Sequence, residues 1–232
     1  MFSYMDRPIF IINAKNYNEG SGDRLARFIE YAVSASQDFK VNVLVAPPIV
    51  DLYYYARQHP EVLISQAVDT VGYGSSTGHI PLMRLIDMGL EYSLINHSEN
   101  RVDHMLIKDI NLAAEEHGFK LIVCIQSINE LEELISLGVK PYAYAFEPPE
   151  LIGTGRSVSK YAGESLRKAV DLCSGEGVRC LCGAGITDVE DVELSMEYGV
   201  DGILVASGVV KADNPLKKIV QFSHIMSDYY SK

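Results

Sequence analysis

The chain has 232 residues, and its 31 acidic side chains outnumber 20 basic ones to give a formal net charge of −11. Apolar residues make up 47% and charged residues 22%, as in a soluble globular protein whose core needs no disulfide or metal to hold it. Because this charge repels phosphate backbones and anionic lipids, we expect no nucleic-acid or membrane partner, and an anionic substrate would need a local binding site.

The start of the chain and its cysteines favour a cytoplasmic protein. Residues 1–7 include two charged side chains and lack the apolar stretch of a signal peptide, and no run approaches the roughly 18 apolar residues of a membrane span. We interpret the cysteines as small buried residues in a reducing compartment, since none forms a Cys-x-x-Cys pair. They are Cys124, Cys173, Cys180 and Cys182.

Eight short apolar segments are predicted as strands, with helices between them. In chain order they are 9–12, 43–46, 62–64, 92–95, 121–125, 142–146, 180–182 and 203–206. Five glycines each precede an apolar residue, a charged residue and an apolar run, which is typical of a helix end followed by a buried strand. These are Gly89, Gly118, Gly138, Gly177 and Gly199. Ser127 with Glu130, and Thr187 with Glu190, have the spacing of helix capping boxes.

This order predicts an α/β fold with a parallel sheet covered on its outer face, because its strands are continuously apolar rather than alternating. Eight units in 232 residues leave about 29 residues each, which fits a compact (β/α)8 TIM barrel with short helices. A doubly wound sheet is the alternative, but the phosphate fingerprint usual after its first strand is missing. We expect residues 1–232 to form one domain.

Active sites of such barrels lie at the carboxyl ends of the strands, and three chemically capable side chains follow predicted strands there. Considered separately, each of these residues is most simply an ordinary solvated or hydrogen-bonded side chain. They are Lys15, His97 and Glu147. Taken together, a carboxylate can remove a proton beside a carbonyl, a neutral histidine can polarise that carbonyl, and a lysine can stabilise the resulting oxyanion.

Two small-residue turns complete this predicted rim. The turns at 183–185 and 206–208 precede predicted helices, so their backbone N–H groups can cradle a phosphate. The other histidines show no metal-ligand spacing, and the glycines of 72–78 are wrongly spaced for a dinucleotide motif. The rim therefore predicts proton abstraction next to a carbonyl in a small phosphorylated substrate, without a metal.

The same residues carry motifs that resemble the triosephosphate isomerase family, in its shorter archaeal form. They lie in the family's order and spacing from about residue 8 to residue 220. The motifs are Asn13-x-Lys15, Asn96-His97-Ser98-Glu99-Asn100-Arg101, Glu147-Pro148-Pro149-Glu150-Leu151-Ile152-Gly153-Thr154-Gly155, Cys182-Gly183-Ala184-Gly185-Ile186 and Val205-Ala206-Ser207-Gly208.

The resemblance implies an assignment for each site residue. Glu147 is implied as the base that moves a proton between C1 and C2, and His97 as the electrophile, which is the family's well-known division of labour rather than something the residues establish. A helix N-terminus near His97 would keep its ring neutral. Lys15 and Asn13 are implied to hold the substrate oxygens and the phosphate, and Glu99 is implied to support Lys15. The implied phosphate contacts are Ile152, Gly153, Gly185, Ala206 and Ser207.

The resemblance also implies a triose phosphate substrate, no cofactor and no metal. It further implies a homotetramer built from dimers, in which the loop 73–78 inserts beside the partner's active site. Prolines near one end of residues 148–155 and glycines near the other predict a lid that closes over the phosphate. Two departures stand out. The run Cys124-Ile125-Gln126-Ser127 replaces the family's usual Cys-Ile-Gly-Glu, and Asn96 replaces the glycine of the bacterial and eukaryotic branches.

Two other functions stay open from the residues alone. Another phosphate-binding barrel enzyme, such as a sugar-phosphate epimerase or a synthase of amino-acid biosynthesis, would share the fold, although an epimerase needs metal ligands at the strand ends. A non-catalytic barrel would keep the core and lose the acid and base residues, whereas this chain carries all three.

Overall fold

Within the part of the chain that the structure describes, seven parallel strands alternate with helices. The computed structural model describes residues 7–151 and 158–231. The strands are β1 (Ile9–Asn13), β2 (Asn42–Ala46), β3 (Tyr92–Ile95), β4 (Lys120–Ile125), β5 (Ala143–Phe146), β6 (Arg179–Cys182) and β7 (Gly202–Val205). They lie side by side in the order β2-β1-β7-β6-β5-β4-β3, so the sheet curls with β2 and β3 at its two ends.

The helices fill the connections between the strands. They are α1 (Ala26–Asp38), α2 (Ile49–Ala56), α3 (Leu82–Asp87), α4 (His104–Glu116), α5 (Ile128–Ser136), α6 (Val158–Tyr161), α7 (Gly163–Gly175), α8 (Val189–Glu197), α9 (Ser207–Val210) and α10 (Pro215–Tyr230). All five glycines of the predicted joints have positive φ angles, between 66° and 88°, in the left-handed region. The predicted helix ends are therefore confirmed.

The predicted strand at 62–64 is not a regular strand in the structure. Val62 ends a short 3-10 turn, Pro60–Val62, which leaves room only for isolated bridges. Leu63 bridges Val45 of β2, and Ser65 bridges Ser93 of β3, with the Ser65 N–H donating to the Tyr92 carbonyl at 3.1 Å. This segment joins the two ends of the curled sheet, so the predicted eightfold TIM barrel is confirmed with an abbreviated third strand.

Alternate residues of the strands build two separate apolar layers. One layer lies inside the ring and the other lies between the strands and the helices. The inner layer takes residues from every strand, including Ile9, Leu44, Leu94, Ala145 and Leu204. Because these side chains fill the barrel, a substrate can bind only at its rim.

Both predicted capping boxes need correction. Ser127 caps α5 by accepting from the Glu130 N–H, but the Glu130 carboxylate accepts from the Gln126 N–H instead of returning to Ser127. At α8 the reciprocal box is formed by Asp188 and Asp191, one residue later than predicted. A carboxylate at the spacing of a capping box can accept a hydrogen bond from a different N–H group. The sequence pattern alone does not predict which donor it binds.

Candidate active site

The residues predicted from separate strand ends meet at one edge of the barrel. A single cavity is lined by Lys15, His97, Glu147, Gly185, Ala206 and Ser207. The adjoining cavity shares Lys15 and His97 and adds Asn13 and Glu99. Two predicted phosphate contacts, Ile152 and Gly153, and residues 152–155 of the predicted lid at 148–155 lie outside the described residues.

Glu147 directly follows β5 and continues the inward-facing series of Ala143 and Ala145. Its side chain is 3% exposed, and Oε2 has no hydrogen-bond partner among the residues that the structure describes. Burial raises the pKa of Glu147 to about 7, although the Cys124 thiol and the Lys15 charge act in the opposite direction. A carboxylate of this kind can accept a proton and release it again near neutral pH.

His97 faces this carboxylate through a defined ring nitrogen. The Glu99 N–H donates to Nδ1 at 3.2 Å, so the hydrogen of the neutral ring sits on Nε2, which lies 3.7 Å from Glu147 Oε1. Burial, followed by the Lys15 charge, lowers the pKa of His97 to about 4. The helix N-terminus expected next to His97 is not formed by the described residues 97–103, because α4 begins only at His104. Burial, and not a helix dipole, is therefore the main cause of the lowered pKa of His97.

Lys15 has a left-handed backbone, with φ of 45°, and several groups hold it there. Its N–H donates to Asn13 Oδ1 at 2.9 Å, and its ammonium donates to Glu99 Oε1 at 2.9 Å. Its side chain is only 13% exposed, whereas that of Glu99 is 60% exposed. The ammonium is therefore directed along the cavity instead of into bulk solvent.

Gln66 is the site residue that the sequence analysis missed. Its Nε2 donates to the Lys15 carbonyl at 2.9 Å and to the Ala46 carbonyl at 3.0 Å, which ties the end of β2 to the turn after β1. Gln66 directly follows the bridging segment at 63–65. The signal was therefore present in the sequence, as a polar side chain just after the predicted strand at 62–64.

The turns after β6 and β7 pack backbone against backbone. Gly185 has φ of 72°, and a Cβ atom at Gly208 would stand 2.3 Å from the Ile186 carbonyl oxygen. Only glycine allows this close approach, which brings Gly185, Ala206 and Ser207 to one side of the cavity. The Lys211 ammonium lies 4.1 Å from the centre of the Tyr17 ring, which lines the same cavity. Lys15 therefore lines the cavity directly, and Lys211 lies against a ring that lines it.

Across residues 7–151 and 158–231, no three His, Cys, Asp or Glu side chains lie together as a metal site. No helix in those same ranges is both long and apolar enough to cross a membrane. All four cysteines are buried and unpaired, as predicted.

Known proteins that are similar to this chain include members of the triosephosphate isomerase family. A family model described as triosephosphate isomerase matches residues 8–225. The protein named triosephosphate isomerase from Thermoplasma volcanium is 39% identical over 209 residues, covering 90% of this chain and 96% of that protein. The proteins of the same name from Methanopyrus kandleri and Methanocaldococcus jannaschii are 38% and 37% identical, and each match covers 92% of this chain and at least 95% of the relative.

Proposed function

The chain belongs to the triosephosphate isomerase family, and on that premise we propose that its rim interconverts dihydroxyacetone phosphate and D-glyceraldehyde 3-phosphate. The observation that carries this proposal is the pair Glu147 and His97. A buried carboxylate with an unpartnered oxygen stands 3.7 Å from a neutral imidazole N–H in the cavity that also holds Lys15.

In this proposal Glu147 removes a proton from C1 of dihydroxyacetone phosphate. The C–H bonding electrons form the C1–C2 double bond, and the carbonyl electrons move onto the C2 oxygen to give an enediolate. Glu147 then returns the proton to C2, while the hydroxyl proton on O1 passes to O2. The reaction needs no net oxidant, because one carbon is reduced as its neighbour is oxidised.

His97 and Lys15 stabilise the charge that develops on oxygen. The neutral imidazole donates a hydrogen bond from its Nε2–H to this oxygen. Burial keeps the ring neutral at the pH where Glu147 works. Lys15, oriented by Asn13 and Glu99, binds the substrate oxygens and phosphate together with Asn13. The phosphate contacts are assigned to Ile152, Gly153, Gly185, Ala206 and Ser207.

A coupled assay tests this function against both alternatives. Purified protein is given dihydroxyacetone phosphate, and glyceraldehyde 3-phosphate is followed through its dehydrogenase. We expect turnover that survives a chelator. Turnover that a chelator abolishes would favour a metal-dependent barrel enzyme, and binding of the substrate without turnover would favour a non-catalytic barrel. As an enzyme of glycolysis and gluconeogenesis, the protein is assigned to the cytoplasm.

We also propose a homotetramer built from dimers. Two exposed apolar surfaces support this assembly: α2 presents Val50 and Tyr53, which are 85% and 64% exposed, and α4 presents Met105 and Leu112, both about half exposed. The loop 73–78 is largely exposed and would reach the partner's active site. Sedimentation at micromolar concentration should give a species near four times 25.7 kDa, and a stable monomer would contradict the proposal.

A further inference from the structure

The residue before His97 is held in a left-handed conformation by its own side chain. Asn96 has φ of 64° and is buried. Its Oδ1 accepts from the Val102 N–H at 3.1 Å, and its Nδ2 donates to the Cys124 carbonyl at 2.9 Å. The first bond closes the turn between residues 96 and 102, with His97 inside it, and the second ties Asn96 to β4.

Glu130 accepts a second hydrogen bond from the same amide nitrogen of Asn96. Its carboxylate accepts from Asn96 Nδ2 at 2.9 Å and from the Gln126 N–H at 2.7 Å, and it forms an ion pair with Arg101. Arg101 in turn donates to the Asn96 carbonyl at 3.0 Å. Glu130 and Arg101 therefore hold both the side chain and the backbone of the residue that precedes His97.

The charge of Glu130 is compensated inside the protein. Burial by itself raises the pKa of this carboxyl, but the bonds from Gln126, Arg101 and Asn96 outweigh burial and leave the pKa below its ordinary value. His104 Nε2 also lies 3.3 Å from Oε1. A buried carboxylate with this many donors fixes geometry, because moving any donor would leave charge unpaired.

We propose that Glu130 is a positioning residue, which acts through Asn96 and Arg101 to set the orientation of the His97 ring toward Glu147. The inference rests on the proposed function for its kinetic consequence.

The alternative is that Glu130 only stabilises the fold, and substitution can separate the two roles. Glu130→Gln keeps the shape but removes the charge from Arg101 and turns an amide toward the donors. Because a misplacement of about 1 Å can cost about 10²-fold in rate, we expect kcat to fall roughly 10- to 100-fold while KM stays within about threefold. Inhibition by glycerol 3-phosphate, which carries phosphate but no carbonyl for His97 to polarise, should not change.

Glu133→Gln is the matched control. Glu133 lies one helical turn further along α5, is 61% exposed and contacts His104 at 3.1 Å without reaching Asn96 or Arg101. Its kcat should stay within about twofold of wild type. Equal kcat values for wild type and Glu130→Gln would overturn the proposal, as would a loss shared by Glu133→Gln.

A second variant and a second measurement keep the test decisive. Asn96→Gly suits the left-handed backbone, so it should fold, and it should lower kcat as Glu130→Gln does. Nitrogen NMR of the His97 ring requires no turnover. We expect the Nε2–H signal to shift or broaden in Glu130→Gln and to stay unchanged in Glu133→Gln. An inactive wild type would reject the proposed function alone, whereas an unchanged His97 spectrum in Glu130→Gln would reject the positioning role.

Discussion

Gly183 lies so close to Glu147 that no side chain fits between them. A Cβ atom at Gly183 would stand 2.3 Å from Glu147 Cγ and 3.0 Å from its Cδ. The Gly183 N–H donates to the Phe146 carbonyl at 3.0 Å, so the backbone of β6 cannot retreat without breaking the sheet. The turn after β6 therefore supports the carboxylate as well as one side of the cavity.

Gly183→Ala should displace Glu147 and lower kcat by roughly 10²-fold, because a shift of about 1 Å at a reacting group has that scale of effect. Gly175→Ala is the matched control, since a Cβ atom there meets nothing within 4 Å. Steady-state kinetics of the two variants would decide, and a Gly183→Ala enzyme with wild-type kcat would show that the carboxylate adjusts freely.

Glu147→Gln should lower kcat by about 10² to 10⁴, the usual loss when a positioned base is removed. Substrate binding should be largely kept, because the amide has the same shape as the carboxylate. Glu150→Gln, in the 3-10 turn Pro149–Leu151, should change kcat by less than about tenfold. Comparable losses in the two variants would place the base elsewhere.

The pH dependence of kcat/KM should report the ionisation of Glu147. Since the base must be unprotonated and its pKa is about 7, kcat/KM should fall tenfold per pH unit well below that value. His97, with a pKa of about 4, stays neutral over the same range. A profile that is flat from pH 7.5 down to pH 5 would contradict the raised pKa.

The free energy of unfolding should also depend on the ionisation of Glu147, because its buried charge destabilises the folded chain at high pH. The pKa of Glu147 is higher in the folded chain, about 7 against 4.5, so the penalty for burying its charge is full above pH 7 and absent below pH 4.5. Glu147→Gln should therefore raise the free energy of unfolding at pH 8 by at most roughly 3 kcal/mol and leave it unchanged near pH 4. Urea unfolding of both proteins at the two pH values measures this, and equal stability at pH 8 would oppose it.

Gln66→Leu should weaken both the fold and the substrate site. It removes the donor to the Lys15 and Ala46 carbonyls, which should cost about 1–3 kcal/mol of stability and raise KM severalfold as the Lys15 turn loosens. Gln58→Leu, at an exposed helix end, is the control and should change neither quantity appreciably. Calorimetry and KM measurements on the pair test it, and a destabilised Gln66→Leu with unchanged KM would separate Gln66 from substrate binding.

The sequence by itself determined the class of fold and the chemistry of the rim. Apolar strands buried on both faces and glycines at helix ends are local signals, so they predicted the alternating order and most strand positions. The predicted rim residues emerge at strand ends, and parallel strands bring those ends to one edge regardless of packing detail.

Tertiary structure decided the distances and the partners. The segment at 62–64 was predicted as a strand. Whether it pairs as a regular strand depends on the space between β2 and β3, and the structure has only isolated bridges there. Glu130 had the spacing of a cap and instead joined a network with Asn96 and Arg101 from a separate strand end. The neutral state of His97 arises from burial beside Lys15, 82 residues away in the chain, and such through-space effects leave no trace in a local pattern.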